Sequence, residues 1–296
     1  MYLALYHPEL GYYRQDRARV GYTTGTDFYT ASSSGVVFGE MVTAACVALL
    51  GGETQAREYT FVEIGAEPGG GVLAGVVHPF ASARTVRVGE PQHIAGPCVV
   101  FSNELFDAQP LRRFVRRGKS WRELGVQLRG EQLNEIELGE VNESWLPTDA
   151  SEGNVFDAPR AAAELASAIA AQPWTGLFVA FDYGKLFNEL ATSTPAGTAR
   201  AYFQHTQSND LLSRAGEQDL TGHVCWDWLQ AALDTAGCTD ARVESQEAFF
   251  IHYAGAFLAQ AMAAEATRMS PRKLALLQLL HPSHLGQKFQ VLHARR

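Results

Sequence analysis

The chain has 296 residues, 46% of them hydrophobic and 19% charged, with a formal net charge of −8 and a pI near 5.6. That length buries a large core in one domain, with or without an insertion. The acidic balance argues against a broad nucleic-acid surface, but leaves open a basic protein substrate drawn to an acidic cleft.

No apolar run reaches membrane-spanning length. Met1-Tyr2-Leu3-Ala4-Leu5 lacks the basic start and apolar core of a secretory signal. Cys46, Cys98, Cys225 and Cys238 form no CxxC pair and no zinc-type cluster with histidine. They read as buried thiols of a reducing compartment, with no metal expected.

Residues 1–35 are irregular and aromatic, and a loop of that length reads as a lid or binding segment. Val36–Leu50 is apolar most of the way round and stops at Gly51-Gly52, which predicts a buried helix. Thr60–Ile64 suits a buried parallel strand. The glycine-rich turn Gly65–Gly71 follows, and Val72–Val77 begins a helix. Strand, turn and helix together form a nucleotide-type cradle, because glycines admit a ligand and a helix start offers unpaired N–H groups. A dinucleotide needs G-x-G-x-x-G. The spacing here is Glu63-x-Gly65-x-x-x-Gly69, with Glu67 inside the loop. A carboxylate there repels a pyrophosphate, whereas the sulfonium and amino group of S-adenosylmethionine tolerate acids. The motif therefore tilts toward S-adenosylmethionine, with an ordinary strand-to-helix turn as the alternative.

Thr85–Glu90 predicts a second strand ending in an acid placed to accept two ribose hydroxyls; a solvated loop acid is the plain alternative. Pro97–Ser102 predicts a third strand, followed by Asn103-Glu104-Leu105-Phe106-Asp107. Acids there orient a nucleophilic nitrogen or hold the cofactor's amino-acid end, or else mark a helix N-terminus. Leu111–Arg117 and Trp121–Arg129 predict a hairpin across Gly118-Lys119-Ser120, Gln132–Glu140 a further strand, and 141–157 a loop. Ala158–Gln172 predicts a helix with Pro159 in its first turn. Leu177–Asp182 predicts a buried strand broken at Tyr183-Gly184, and 185–222 a polar insertion over the site. Trp226–Gly237 predicts a helix, Arg242–Ile251 a strand, Gly255–Arg268 and Pro271–Leu280 helices, and Lys288–His293 a last strand.

Alternating strands and helices make a doubly wound α/β sheet, whose ligands sit beyond the carboxyl ends of the strands. Three such ends carry acids or amides: Glu90, then Asn103, Glu104 and Asp107, then Asp182. Methyl transfer to nitrogen requires alignment and exclusion of water. For an arginine acceptor, Glu104 and Asp107 are the carboxylates that align a guanidinium. Asp182-Tyr183-Gly184 reads as lining a substrate channel. Arg200, Tyr202, His205, Asp219 and His223 lie in or beside the insertion, where lone histidines are more often satisfied than catalytic.

These residues resemble the MidA-like (DUF185) methyltransferases. The resemblance rests on Leu5-Tyr6-His7-Pro8, Gly11-Tyr12-Tyr13, Asp27-Phe28-Tyr29-Thr30-Ala31, Phe38-Gly39-Glu40, Glu63-Ile64-Gly65, Asn103–Ala108, Asp182-Tyr183-Gly184, Gly197-Thr198, Arg200-Ala201-Tyr202, Gln204-His205, Gly216-Glu217, Asp219-Leu220-Thr221, His223-Val224 and Phe289–Leu292. It implies a class I methyltransferase fold, a Rossmann-like sheet with an N-terminal lid and an inserted substrate-side segment, and S-adenosylmethionine as donor. Glu63, Gly65 and Gly69 would hold the donor and Glu90 its ribose. Thr30, Ala31 and Gly39 would close over it, and Asn103, Glu104 and Asp107 would face the reaction. Asp182, Tyr183, Tyr202, His205 and His223 are the substrate-side candidates. The characterised family member is mitochondrial, assists complex I assembly and symmetrically dimethylates an arginine on a complex I subunit. A protein acceptor follows, with a respiratory complex I subunit as its model. A cytoplasmic location is expected, or the mitochondrial matrix if eukaryotic, and a homodimer is left open. The chain departs from the family pattern at Glu67, in a middle glycine position, at Ser32-Ser33-Ser34-Gly35, at Cys225, and in the short segment after Glu90.

One domain is expected: 1–50 as lid and helix, 51–184 as cofactor core, 185–222 as insertion, and 223–296 completing the core. Two other readings compete with the enzyme. A binding or assembly protein that keeps the fold is motivated by the altered glycine loop. A dinucleotide oxidoreductase is disfavoured by Glu67.

Overall fold

The computed structural model describes residues 1–15, 19, 21, 26–27, 34–68, 70–267 and 269–296. A short helix, α1 (Tyr2–Tyr6), opens the chain. Helix α2 (Val36–Leu50) has the predicted bounds and buries Phe38, Met41, Val42, Ala45 and Cys46. Helix α3 (Glu53–Ala56) leads into β1 (Thr60–Ile64), followed by β2 (Ser82–Val86) and β3 (Gly96–Asn103). The predicted hairpin is β4 (Arg112–Arg117) and β5 (Ser120–Arg129), extended by β6 (Gln132–Val141). The 141–157 segment, expected as loop, ends in β7 (Val155–Ala158), which pairs with β4. Then come α4 (Arg160–Ala170), β8 (Trp174–Asp182), β9 (Gly184–Lys185) and α5 (Phe187–Ser193). Strands β10 (Arg200–Phe203), β11 (Thr206–Ser208), β12 (Asp219–Thr221) and β13 (Val224–Cys225) precede α6 (Trp226–Thr235). The chain finishes with β14 (Thr239–Ser245), α7 (Gln246–Ala264), α8 (Pro271–Leu280) and β15 (Gln290–Arg295).

The central sheet has six strands in the order β14-β15-β8-β3-β1-β2. β2, β1, β3 and β8 run parallel, and β15 lies antiparallel between β8 and β14. Alternate side chains of β3 and β8 point to opposite faces, as the pleat requires. Val99, Phe101, Val179 and Phe181 meet α2, α7 and α8, while Cys98, Val100, Phe178 and Ala180 meet α4 and α6. The α2 face is aromatic: Phe181 sits 5.4 Å from Phe38, 5.5 Å from Phe249 and 5.4 Å from Phe250, centroid to centroid. All four cysteines are free and buried. Among the described residues, no helix is long and apolar enough to cross a membrane.

Three expectations are corrected. The helix expected at Val72–Val77 is only a turn, closed by Ala74 N–H to Gly71 O and Val76 N–H to Leu73 O at 3.1 and 3.0 Å. Gly75 turns left-handed there, at φ 74°. The β-branched pair Val76-Val77 and then Pro79 give no second turn on which a helix could propagate. The second strand stops at Val86, and the sheet ends with it. Gly89 turns left-handed at φ 83°, and Glu90 N–H closes a turn onto Arg87 O at 3.0 Å, so the chain leaves the strand there. The strand expected through Ile251 ends at Ser245, whose hydroxyl accepts from Ala248 N–H at 3.2 Å and caps α7.

Residues 185–222, predicted from their polarity to cover the site, form the small sheet β11-β10-β12. Ala201 and Leu220 of that sheet pack on Leu5 and Tyr12 of the N-terminal segment. So small an apolar anchor leaves no periodicity legible in the sequence.

Candidate active site

The carboxyl ends of β1, β2 and β3 open into a cavity of about 720 Å³, a size typical of small-molecule sites. Glu63, Gly65 and Glu67 line it from β1 and its loop, Val86 to Glu90 from β2, and Asn103, Glu104 and Asp107 from β3. Tyr6, Tyr13, Arg14 and Arg19 reach it from the N-terminal segment, and Tyr183 and Asp219 from the far side.

On the β1 side, Glu63 is only 8% exposed, and its Oε2 accepts Val72 N–H at 2.6 Å. Burial pushes its carboxyl up to about 7, with the Val72 bond opposing. A Cβ on Gly71 would stand 2.2 Å from that Oε2 and 2.7 Å from Thr85 Cγ2, and Gly71 has φ 76°. The loop therefore closes on the carboxylate only because position 71 has no side chain.

Glu67 does not stand alone. Arg19 Nη1 reaches its Oε2 at 3.0 Å, and Arg19 is 3% exposed. The guanidinium also donates to Tyr12 O at 3.2 Å and Gln15 O at 2.8 Å, and lies 5.5 Å from the ring centroids of Tyr12 and Tyr13. The N-terminal segment thus brings its own counter-ion to the acid that departs from the family pattern. Arg19→Met should loosen that segment at a cost of at least about 1 kcal/mol, because Glu67, Tyr12 O and Gln15 O all lose a buried donor. A melting temperature roughly 2–4 °C lower would register it; an unchanged one would mean that the pair holds nothing.

Glu90 lies at the cavity rim, exposed, with Oε2 accepting Arg87 N–H at 2.7 Å. At the end of β3, Glu104 has φ 51°, a left-handed conformation uncommon for a side-chain-bearing residue. Its N–H donates to Phe181 O at 2.9 Å, and Asn103 Nδ2 donates to its Oε1 at 3.0 Å. Asp182 fixes this loop from beneath: its Oδ2 accepts Phe106 N–H and Asp107 N–H at 2.9 and 3.3 Å, and its Oδ1 accepts Tyr183 N–H at 3.0 Å. Asp107 is 3% exposed, with Tyr183 hydrogen-bonding its carboxylate, and its Oδ1 has no hydrogen-bond partner. Asp219 Oδ1 accepts the Tyr13 hydroxyl at 2.8 Å. Burial raises the carboxyls of Glu104 and Asp107 well above the usual range, each reinforced by a neighbouring acid, and pushes Asp219 up to about 7.

These shifts fix a sign for pH dependence. The folded protein holds a proton on Glu63 over a range, from about 4.5 to about 7, where the unfolded chain has lost it. The empty protein should therefore lose stability as pH rises through that window, on the order of 1–3 kcal/mol from this group. Melting curves at stepped pH should show a shallower fall for Glu63→Gln; parallel curves would contradict the assignment.

Glu63, Gly65, Glu90, Asn103, Glu104, Asp107 and Tyr183 are all predicted from sequence, and they share the cavity. Other predicted residues do not line it. Gly39 lies on α2, where a Cβ would meet Val72 O at 2.1 Å. Its missing side chain lets the helix approach the glycine turn rather than the cofactor. Asp182 is fully buried beneath the loop that it holds. Tyr202 donates to Gln207 Oε1 at 3.0 Å on the small sheet, and exposed His205 is 3.2 Å from Thr26 Oγ1. His223 packs edge-on to Tyr183, and burial lowers its ring to about 4. Thr30, Ala31 and Gly69 lie outside the described residues. Sequence reasoning misses Tyr6, Tyr13, Arg19 and Asp219 as a group, because only the fold brings positions this far apart together.

The cavity fits S-adenosylmethionine better than a dinucleotide. The glycine turn leads into no helix, so no helix N-terminus awaits a pyrophosphate. Acids occupy the ends of β1 and β3 instead. A mixed α/β sheet with acids at the strand ends around such a cavity agrees with the S-adenosylmethionine-dependent methyltransferase class. The model of a family described as "putative S-adenosyl-L-methionine-dependent methyltransferase" matches residues 83–243, more than half of the chain. The chain belongs to that family, and its cofactor is S-adenosylmethionine. A crystal structure from Burkholderia thailandensis, described as a "likely methyl transferase" bound to S-adenosyl-homocysteine, matches with a TM-score of 0.86 at 23% identity. It covers 100% of this chain and 86% of that one. A native crystal structure of an uncharacterized protein from the same organism matches with a TM-score of 0.80 at 23% identity and the same coverage. At that identity the two structures establish the fold. Comparison with curated proteins gives no match.

Proposed function

We propose that the chain is a MidA-like protein arginine N-methyltransferase. The observation that carries this is the far half of the cavity, where Glu104, Asp107 and Asp219 stand beside Tyr6, Tyr13 and Tyr183. The strongest influences on those three carboxyls are burial, other acids, an amide, hydroxyls and backbone N–H groups, not a cation. Acids and aromatic faces together suit a guanidinium, which is planar, always charged and a bidentate donor.

On the donor side, Glu63, Gly65 and Glu90 hold the cofactor. When bound, S-adenosylmethionine supplies the methyl group. Glu104 and Asp107 align the acceptor nitrogen, and a carboxylate of the cluster takes the proton which that nitrogen gives up. The N-terminal segment excludes water from the cleft. A respiratory complex I subunit is the acceptor candidate that the family resemblance supplies. The competing reading, a binding protein with a disabled loop, is weakened because Arg19 gives Glu67 a counter-ion at 3.0 Å.

The test is to incubate purified protein with methyl-labelled donor and acceptor-bearing extract, then to hydrolyse the protein fraction to amino acids. Labelled methylarginine, formed far more slowly with Glu104→Gln, is expected. Label confined to other residues would overturn the arginine assignment, and no label at all would favour the binding-protein reading.

A further inference from the structure

Asp219 comes from β12, outside the central sheet, yet it is 2% exposed and lines the same cavity as Asp107. The N-terminal segment is fastened on both sides of this pair. Tyr13 donates its hydroxyl to Asp219 Oδ1 at 2.8 Å. Tyr13 also stacks on Tyr6, with centroids 5.6 Å apart and planes 21° apart, and the Tyr6 hydroxyl donates to Ala108 O at 3.0 Å, next to Asp107. Asp107 lines the same cavity, and its buried Oδ1 has no hydrogen-bond partner. A buried acceptor left unmatched beside a second buried acid is unfavourable until a donor arrives, and a cationic donor satisfies both.

We propose that Asp219 is the specificity-determining residue of the acceptor subsite, gripping with Asp107 one cationic nitrogen head group that lies against the Tyr6–Tyr13 pair. A guanidinium is preferred to an ammonium there, because a planar fork can bridge two carboxylates and stack on a ring, whereas a point charge does only the first. Acceptor recognition is then shared between the loop after β3 and two pieces outside the sheet, the N-terminal segment and the 185–222 segment, while the ends of β1 and β2 serve the donor. This inference rests on the methyltransferase reading for the identity of the site.

The experiment titrates wild-type protein, saturated with S-adenosylhomocysteine, with N-acetylarginine methylamide and with its lysine counterpart. The same titrations are run on Asp219→Asn and Tyr13→Phe, with melting temperatures as a fold control and S-adenosylhomocysteine affinity measured separately. Asp219→Asn keeps the size of the side chain and an oxygen for Tyr13. It should weaken the arginine probe by about 10-fold or more, with Tyr13→Phe weakening it less, and with S-adenosylhomocysteine affinity changed less than about twofold. The lysine probe should bind wild type more weakly than the arginine probe. Equal arginine-probe binding by wild type and Asp219→Asn would overturn the proposal. So would equal binding of the two probes, or no arginine-probe binding by wild type. If the probe binds through Asp219 but no methyl transfer to arginine is found, the enzyme reading fails and the subsite stands. If Asp219→Asn methylates arginine with an unchanged acceptor KM, the enzyme reading stands and the subsite fails.

Discussion

Gly71→Ala is expected to weaken cofactor binding by about 10–100-fold. Two costs combine at this position. The backbone has φ 76°, where a residue with a Cβ is strained by about 1–2 kcal/mol. The new methyl would also fall 2.2 Å from Glu63 Oε2 and 2.7 Å from Thr85 Cγ2. One of three things must move: the loop, the carboxylate, or the end of β2. Movement of the loop or the carboxylate takes Glu63 away from Val72 N–H, and any of the three alters the wall where the donor would be held. A loss of about 1.4–2.8 kcal/mol in the bound state corresponds to that range. Titration with S-adenosylhomocysteine measures it directly. Unchanged affinity in a folded variant would mean that the Glu63 turn does not form the cofactor site.

Glu104→Gln is expected to slow methyl transfer by roughly 10–100-fold while leaving donor affinity within about twofold. The amide fills the same volume, and the left-handed backbone at position 104 is kept by the Phe181 and Asp182 bonds to the surrounding loop. What disappears is the carboxyl that ionises when a cationic acceptor arrives beside it, and a hydrogen bond to a charged group contributes about 1.5–3 kcal/mol. The loss should appear in kcat/KM for the acceptor and not in the dissociation constant of S-adenosylhomocysteine. Weakened cofactor binding with an unchanged transfer rate would move Glu104 to the donor side of the cavity.

Sequence is most informative where residues act locally. Thr60–Ile64, Pro97–Ser102 and Leu177–Asp182 are apolar runs bounded by acids, and all three are central parallel strands. The acids after the first two face one cavity, because parallel strands bring their carboxyl ends to one edge. The helix expected after the glycines is absent, since one glycine at φ 74° and a valine pair before proline cannot be distinguished by hydropathy from a helix start. Gly39 belongs to a shared motif, which suggests the cofactor, but its physical role is to let α2 touch Val72. Asp182 suggests a channel lining, whereas its carboxylate is consumed by three backbone N–H groups. The ion pair Arg19–Glu67 is invisible in the sequence because its members lie on different elements. It turns a departure in the glycine loop into a neutralised one.

The most direct measurement is calorimetric titration of the purified protein with S-adenosylmethionine and S-adenosylhomocysteine. Saturable binding of both, with dissociation constants in the micromolar range and weakened by Gly71→Ala, is the predicted result. No heat from either ligand, in protein shown to be folded, would contradict the account, because the cavity at the ends of β1, β2 and β3 would then not be a donor site.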